Sequence, residues 1–426
     1  MDLSVTRASN ACKAPTSSSP AGRVRPIPGQ APSYTPRLPG SWRPSSDAVL
    51  GIGHRWIRER ATGLQRYDVM WCRDLTTCHI SHRQGRRRCG RTLAASLVGL
   101  RARDNAQTVE LTLERWPDAT TIGGQSPKSR VKKAQVIVER IRALRRWAQS
   151  FGAEVALSHN SYGRIVAART LGLRVVTAMD YEGQPSNHLA FRLAHVILMP
   201  DALRGSGLRK QGATDRRTRL YPGFREEIYL GDFEPDPEVL ASIGVERSDR
   251  PLVVARTSTS RAAYHQFGDP LFGEAIEALG NDGSACVVVL VRHPEQRHAI
   301  QALGLTNLVV PDRLIDSRSL MYQDDLVIGA GGTMTLEAAL MGALTYSAFA
   351  GEQPAVDPEL KRSRLLQRLR SGVASCPIAT RRATPRPLHA VGIRADIITA
   401  FFVNATVSVA HSHAHHSRLT AHHNVD

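Results

Sequence analysis

Long apolar runs are missing from this 426-residue chain. The longest, Ile397 to Ala410, has 14 residues and contains Thr, Asn and Ser, short of the roughly 18–20 that a membrane-spanning helix needs. The first 30 residues carry no apolar stretch of signal-peptide type. Cysteine is scarce, six in the whole chain, and without a secretion signal six do not read as a disulfide framework. The expectation is a cytoplasmic protein without a membrane span. Acidic residues are also in deficit, 38 against 56 Lys plus Arg, for a formal net charge of +18.

That excess invites a nucleic-acid reading, so its position matters. Residues 1–95 hold 16 basic and 5 acidic residues, and residues 361–426 hold 10 and 2. The 265 residues between them hold 30 and 31. A neutral middle lies between two basic flanks, so the overall charge says little about the folded part.

Residues 1–50 contain 8 of the 24 prolines and 9 serines, a composition that predicts disorder. Residues 51–95 place Cys72, Cys78, His79, His82 and Cys89 among many arginines. The order invites a zinc site but lacks the CxxC pairs of a structural one, and the reading adopted is a basic, largely disordered extension over 1–95 with no metal.

From Leu97 the texture alternates strands and helices. Ser129 to Ser150 predicts a helix burying Val131, Ala134, Val138, Ile141, Leu144 and Ala148, with Lys132, Lys133, Arg142, Arg145 and Arg146 elsewhere on its surface. Strands are expected at Glu154–Leu157, Arg174–Ala178 and Val196–Met199, with a helix through Arg164–Leu171. The acidic, proline-bearing stretch Asp232 to Pro237 marks a boundary. Beyond it strands are expected at Leu252–Ala255, Cys286–Val291, Leu308–Val310 and Leu326–Ile328, and helices at Leu271–Leu279, Glu295–Leu303 and Thr335–Met341. Short, nearly all-apolar strands alternating with helices predict parallel sheets buried on both faces. The result is an α/β fold of two Rossmann-like domains facing a cleft: an incomplete N-terminal one over 96–231 and a nucleotide-binding one over 232–358. A poorly ordered basic tail is expected over 359–426, with six of the 16 histidines between His411 and His423.

The strongest chemical signal is Asp325-Leu-Val-Ile-Gly-Ala-Gly-Gly-Thr-Met-Thr-Leu-Glu337. A buried strand runs into a glycine turn and then a helix. Gly331 and Gly332 let backbone approach a ligand, and the free N–H groups of the helix start suit a phosphate. Glu337, one turn in and near the same mouth, can accept ribose hydroxyls; the bland alternative is a tight turn with a favourably placed acid. A dinucleotide fingerprint would need a third glycine where Met334 stands, which argues against NAD or FAD. Other polar clusters follow strand ends, where open α/β sheets bind ligands: Ser158 to Gly163, Asp180 to Gly183, Arg256 to His265 and Arg292 to Glu295. Asp180, Glu182, His265 and His293 are then the available acid–base groups.

Residues from about 98 to 357 resemble the bacterial and archaeal domain-of-unknown-function family numbered 354. The stretches that carry the resemblance are Ala102 to Leu111, Ser158-His159, Tyr221-Pro-Gly-Phe-Arg-Glu-Glu-Ile-Tyr-Leu230, Phe233 to Pro237, Tyr264-His265 and Ile328 to Met334. That family is similar to the glycosyltransferase-B superfamily, and within it to the UDP-N-acetylglucosamine 2-epimerases. The resemblance implies a UDP-sugar substrate, no required cofactor, and a diphosphate and ribose held by Gly331, Gly332, Thr333 and Glu337. It places a glutamate near Glu182 but an aspartate where this chain has Asn160, and a strand and loop opening that family has no clear counterpart in residues 1–95.

The reading adopted is a nucleotide-sugar-binding, glycosyltransferase- or epimerase-like enzyme. Its expected catalytic groups are Glu182, His265 and Asp180, and its expected substrate contacts are Arg256, Tyr264, His159 and His293. The alternatives are a catalytically inactive relative with a degraded N-terminal half-domain, or a nucleic-acid binder acting through the basic ends.

Overall fold

The computed structural model describes residues 69–72, 98–102, 120–122, 130–231, 233–258, 270–313, 315–330, 332–349, 353–362, 366–369 and 389–422. They fall into two compact units. The first takes in 69–231, 354–356 and 389–422, and the second 233–353 and 357–369.

The first unit opens with strands β1 (Val69–Cys72), β2 (Val98–Ala102) and β3 (Thr120–Thr121), then helix α1 (Arg130–Phe151). Next come β4 (Val155–His159), α2 (Tyr162–Thr170), β5 (Arg174–Ala178), α3 (Asn187–Leu193), β6 (Val196–Pro200), β7 (Thr218–Tyr221) and a single turn, α4 (Glu227–Leu230). The seven strands form one sheet in the order β3-β2-β1-β4-β5-β6-β7. Strands β4 to β7 pair in parallel. Their central residues, such as Val155, Leu157, Val175, Val176, Ile197 and Leu198, are fully buried, as the near-continuous apolar runs predict. Strand β1 runs antiparallel to both β2 and β4, a departure from the all-parallel expectation. It also lies inside the stretch expected to be a disordered extension, so the sheet reaches back to Val69. Cys78, His79, His82 and Cys89 lie outside the described residues.

The second unit contains β8 (Leu252–Arg256), α5 (Pro270–Asp282), β9 (Cys286–Leu290), α6 (Pro294–Gln301), β10 (Leu308–Val309), α7 (Ser317–Gln323), β11 (Leu326–Gly329), α8 (Thr333–Leu340), β12 (Thr345–Ser347), α9 (Asp357–Arg362) and β13 (Leu366–Arg368). Its six strands are parallel throughout, in the order β10-β9-β8-β11-β12-β13. Asp325 anchors the amino end of β11: its carboxylate takes both a guanidinium nitrogen of Arg247 (3.0 and 3.1 Å) and the Leu252 N–H (2.8 Å). The Asp316 side chain caps α7 by accepting the Arg318 N–H.

The chain then forms α10 (His389–His422), which belongs to the first unit. This corrects the expected poorly ordered tail. Ala395, Ile398, Phe402, Thr406, Val409 and Ala410 are buried, at the three- and four-residue spacing of a single helical stripe. Ile398, Phe402, Val409 and Ala410 join Val155, Leu157, Val176, Leu198, Tyr221 and Ile228 in one apolar cluster.

Helix α1 needs a second correction. Val131 is 70 % and Val138 44 % exposed, and Ala134 is exposed too. The inward stripe runs instead through Ile137, Ile141, Leu144 and Ala148. Their 4-3-4 spacing follows the 3.6-residue turn. Starting at Val138 drifts off that line, and the first turns of the helix lie in solvent. No helix among the described residues is long and apolar enough to cross a membrane.

Candidate functional site

The second unit's sheet changes winding direction between β8 and β11, since β9 and β10 extend one way and β12 and β13 the other. Open α/β sheets bind ligands beyond the carboxyl ends of their strands at such a switch point. Arg256 ends β8 and Gly329 ends β11, and the Ala330 N–H donates to the Arg256 carbonyl at 3.1 Å.

The turn that follows is shaped by two glycines. Gly332 has φ +89 and ψ −175, a conformation open to glycine and strained for other residues. A Cβ on Gly329 would collide with the Thr335 hydroxyl, so glycine lets strand and helix approach closely. Helix α8 begins at Thr333 with no side-chain cap, leaving its first N–H groups for another acceptor. Thr335 is buried, and its hydroxyl has no hydrogen bond among the described residues. Gly332 and Thr333 thus lie at the turn, with Glu337 four residues further along α8, whereas Gly331 lies outside the described residues. Glu337 is 4 % exposed, on the inner face of α8 rather than free at a mouth. Met334, in place of a third fingerprint glycine, is buried.

Arg256 and Arg292 are half-buried at the ends of neighbouring strands. Arg256 donates to the Val291 carbonyl at 3.2 Å. Burial pulls the Arg292 guanidinium below its usual pKa. Gln296 holds these ends in place: its Oε1 accepts the N–H groups of Arg292 (2.9 Å) and His293 (3.2 Å) and the Thr257 hydroxyl (2.9 Å). His293 is the N-cap residue of α6, followed by Pro294 at the first helical position. Tyr264 and His265 lie outside the described residues. The sequence reading passed over Gln296, although a glutamine three residues past an N-cap is the capping-box signal.

In the first unit, the carboxyl ends of parallel strands bring another group together. His159 Nε2 lies 3.0 Å from Asp180 Oδ1, and Arg225 donates to Asp180 Oδ2 at 2.7 Å and to Glu226 at 3.1 Å. Burial alone would raise the Asp180 carboxyl; the charges of His159 and Arg225 outweigh it and hold the group well below the usual carboxylate range. Glu227 accepts the Phe224 N–H at 3.0 Å and pairs with Arg394 of α10 at 2.5 Å. Its burial pushes the carboxyl up to about 7, against the pull of Arg394. The Tyr221 hydroxyl is buried without a hydrogen bond among the described residues, burial raises its pKa, and its ring packs edge-on against Phe402.

Asp180 and Glu182 diverge, because the chain turns after β5. Glu182 Oε1 accepts the Ala355 N–H at 2.6 Å and takes no part in the His159–Asp180–Arg225 group. Asn160 sits at φ +47, and its amide donates to Asn187 (2.5 Å) and Gln184 (2.7 Å), tying down the loop after β4. Arg225, Glu226, Glu227 and Arg394 had no assigned role in the sequence reading. The available signal was a Pro222-Gly223 turn straight after a strand, leading into Arg-Glu-Glu: one more polar cluster on the same edge.

A family model described as "Protein of unknown function (DUF354)" matches residues 106–369. An uncharacterized protein of Methanocaldococcus jannaschii, MJ0665, is 28 % identical over 228 residues, 52 % of this chain and 65 % of that protein, so the match spans just under two thirds of the relative's length. The UDP-GlcNAc 2-epimerase of the same organism superposes with a TM-score of 0.51 at 9 % identity, covering 71 % of this chain and 91 % of the epimerase. The epimerase of Neisseria meningitidis, solved bound to UDP-GlcNAc, gives 0.50 at 11 %, covering 82 % and 97 %. At such identities the likeness is one of fold, and it bears out the expected glycosyltransferase-B-like architecture. With a family match over more than half its length, the chain belongs to the DUF354 family.

Proposed function

We propose that this protein binds a nucleotide sugar of UDP type on the β11–α8 turn and acts on it as a transferase- or epimerase-like enzyme. The observation that carries the proposal is the uncapped start of α8 behind a φ-positive Gly332, at the switch point of an all-parallel sheet. Backbone N–H groups and the helix dipole there suit a diphosphate, and Arg256 ends β8 while Arg292 lies two residues past the end of the adjacent β9. Glu337, buried on α8, is the proposed acceptor for the ribose hydroxyls. The two epimerase structures of like fold support the sugar-nucleotide class, one of them holding UDP-GlcNAc. No cofactor enters the proposal. Glu182 and His265 remain the proposed acid–base groups, Asp180 is proposed to act beside them through its contact with His159, and Tyr264, His159 and His293 are the proposed substrate contacts.

Calorimetry with UDP tests the reading. Removing charge-assisted hydrogen bonds from Glu337 costs roughly 1.5–3 kcal/mol, so Glu337→Ala lowers UDP affinity by about tenfold or more. Because the residue is buried, Glu337→Gln accompanies it as a volume-preserving control, and thermal unfolding confirms that both variants fold. Wild-type affinity for UDP in either folded variant rejects Glu337 as a ribose ligand, and absence of UDP binding by the wild type rejects the function.

A further inference from the structure

His159 ends β4 and Asp180 follows β5, the neighbouring parallel strand, so the two side chains meet on the ligand-binding edge of the first sheet. Their side chains keep 20 % and 15 % of their surface exposed, enough to be reached from solvent. Asp180 Oδ2 is occupied by Arg225, itself buried, which fixes the carboxylate in place and leaves Oδ1 for the imidazole. A carboxylate held so firmly ionised is a weak proton acceptor, which turns attention from Asp180 to its neighbour. The Nε2–H is poorly aligned with Oδ1 at 3.0 Å, as is common at catalytic hydrogen bonds before substrate arrives. Nδ1 of His159 has no hydrogen bond among the described residues.

We infer that His159 is a catalytic residue, its Nδ1 acting as general base toward a substrate hydroxyl, and that Asp180, locked by Arg225, is its positioning residue. In the step, the substrate O–H bond breaks, an Nδ1–H bond forms, and the oxygen keeps the electron pair. The positive charge on the ring is balanced by Asp180, and the proton passes to water afterwards. The Asp180 carboxylate that faces the ring also holds Arg225 from the end of β7, and Arg225 in turn meets Glu226. The next residue, Glu227, pairs with Arg394 of α10. Of these, Asp180 touches the imidazole, and Arg225 reaches it through Asp180. The inference rests on the nucleotide-sugar reading for its substrate but not for its geometry.

The full chain with labelled histidine separates the two. In NMR, with the His159 signal assigned by its loss in His159→Gln, the neutral ring carries its proton on Nε2. Asp180→Asn loses that preference and shares the proton between the two ring nitrogens. With a panel of UDP-sugars, His159→Gln lowers kcat by about 10²–10⁴ while UDP affinity holds. Asp180→Asn lowers kcat with KM unchanged, and added imidazole restores part of the rate of His159→Ala, which a structural role would not produce. Full turnover in His159→Gln overturns the inference. So does an Asp180→Asn tautomer preference identical to wild type, or a wild type that binds UDP and turns over no sugar. A wild type that binds no UDP rejects the nucleotide reading alone, and the tautomer then decides the dyad.

Discussion

At the crest of the second sheet stand Arg256, Arg292 and the open start of α8. At the crest of the first stand His159, Asp180, Arg225, Glu226 and Glu227, already paired with one another or with Arg394. Both edges are carboxyl ends of parallel strands, so the backbone offers each the same loop positions. What differs is the partner of the positive groups: a backbone carbonyl for Arg256, against local carboxylates for Arg225 and Arg394. The first arrangement suits an anion; the second fixes the protonation states of a few groups. Similar Rossmann-like frames thus carry different groups at the same edge: a glycine turn and two arginines in one unit, a paired cluster of charges in the other.

The comparison can be pressed hardest at α10, a layer supplied to the first sheet from far along the chain. Phe402 is 1 % exposed there, against Tyr221. Phe402→Ala removes about 3–5 kcal/mol of stability, measured by denaturant unfolding. A loss below 1 kcal/mol would mean that the first unit stands without this helix.

Next in size is a pH effect confined to the first unit. The Glu227 carboxyl, with an ordinary value of 4.5, is raised to about 7 in the fold, so the fold holds that proton more tightly than the unfolded chain does. Its contribution is full below 4.5 and lost as pH rises towards 7, about 3 kcal/mol in all. Asp180, lowered, acts with the opposite sign: its share is full above 3.8 and lost as pH falls further. Unfolding free energies between pH 5 and 8 should therefore decline in wild type and stay level in Glu227→Gln; parallel slopes would remove Glu227 as the cause.

In the second unit the sharpest lever is steric. Gly329→Ala drives a methyl group into Thr335 and costs about 1–3 kcal/mol. Thr335→Ala in the same chain relieves part of it, giving a coupling that a double-mutant cycle reads. Strict additivity would show that the close approach of β11 and α8 is not what glycine serves.

The smallest effect is expected away from both crests. Arg142 and Arg145 are exposed on α1, and replacing either by alanine should change stability by less than about 0.5 kcal/mol and leave UDP affinity unchanged. A drop in affinity would show that positive charge matters over the whole surface and not at one edge.

Much of the architecture was legible because the buried strands are written as β-branched apolar runs, as at Leu252–Arg256 and Cys286–Leu290. The turn at Gly329–Gly332 was legible for the same reason, since glycines after such a run have few other uses. Strand β12, Thr345-Tyr-Ser, was not, because its burial comes from β11 and β13 on either side. Val69–Cys72 lay hidden among arginines. Ile397 to Ala410 was read for its length alone, and its helical stripe was passed over. The pairing of Arg225 with Asp180, 45 residues apart, is set by two strands ending side by side, and no local spacing encodes it.

The return of α10 to the first sheet also fixes an order of events in biosynthesis. Val155, Val176, Leu198, Tyr221 and Ile228 leave the ribosome long before Ile398 and Phe402, with the whole second unit made in between. At usual elongation rates that interval is on the order of ten to thirty seconds. During it the first sheet has one apolar face without its partner, while the second unit, whose described residues fall within 233–353 and 357–369, is fully made and can close. The later unit is therefore free to complete its fold before the earlier one, and the nascent first sheet is the stretch that a holding chaperone would meet.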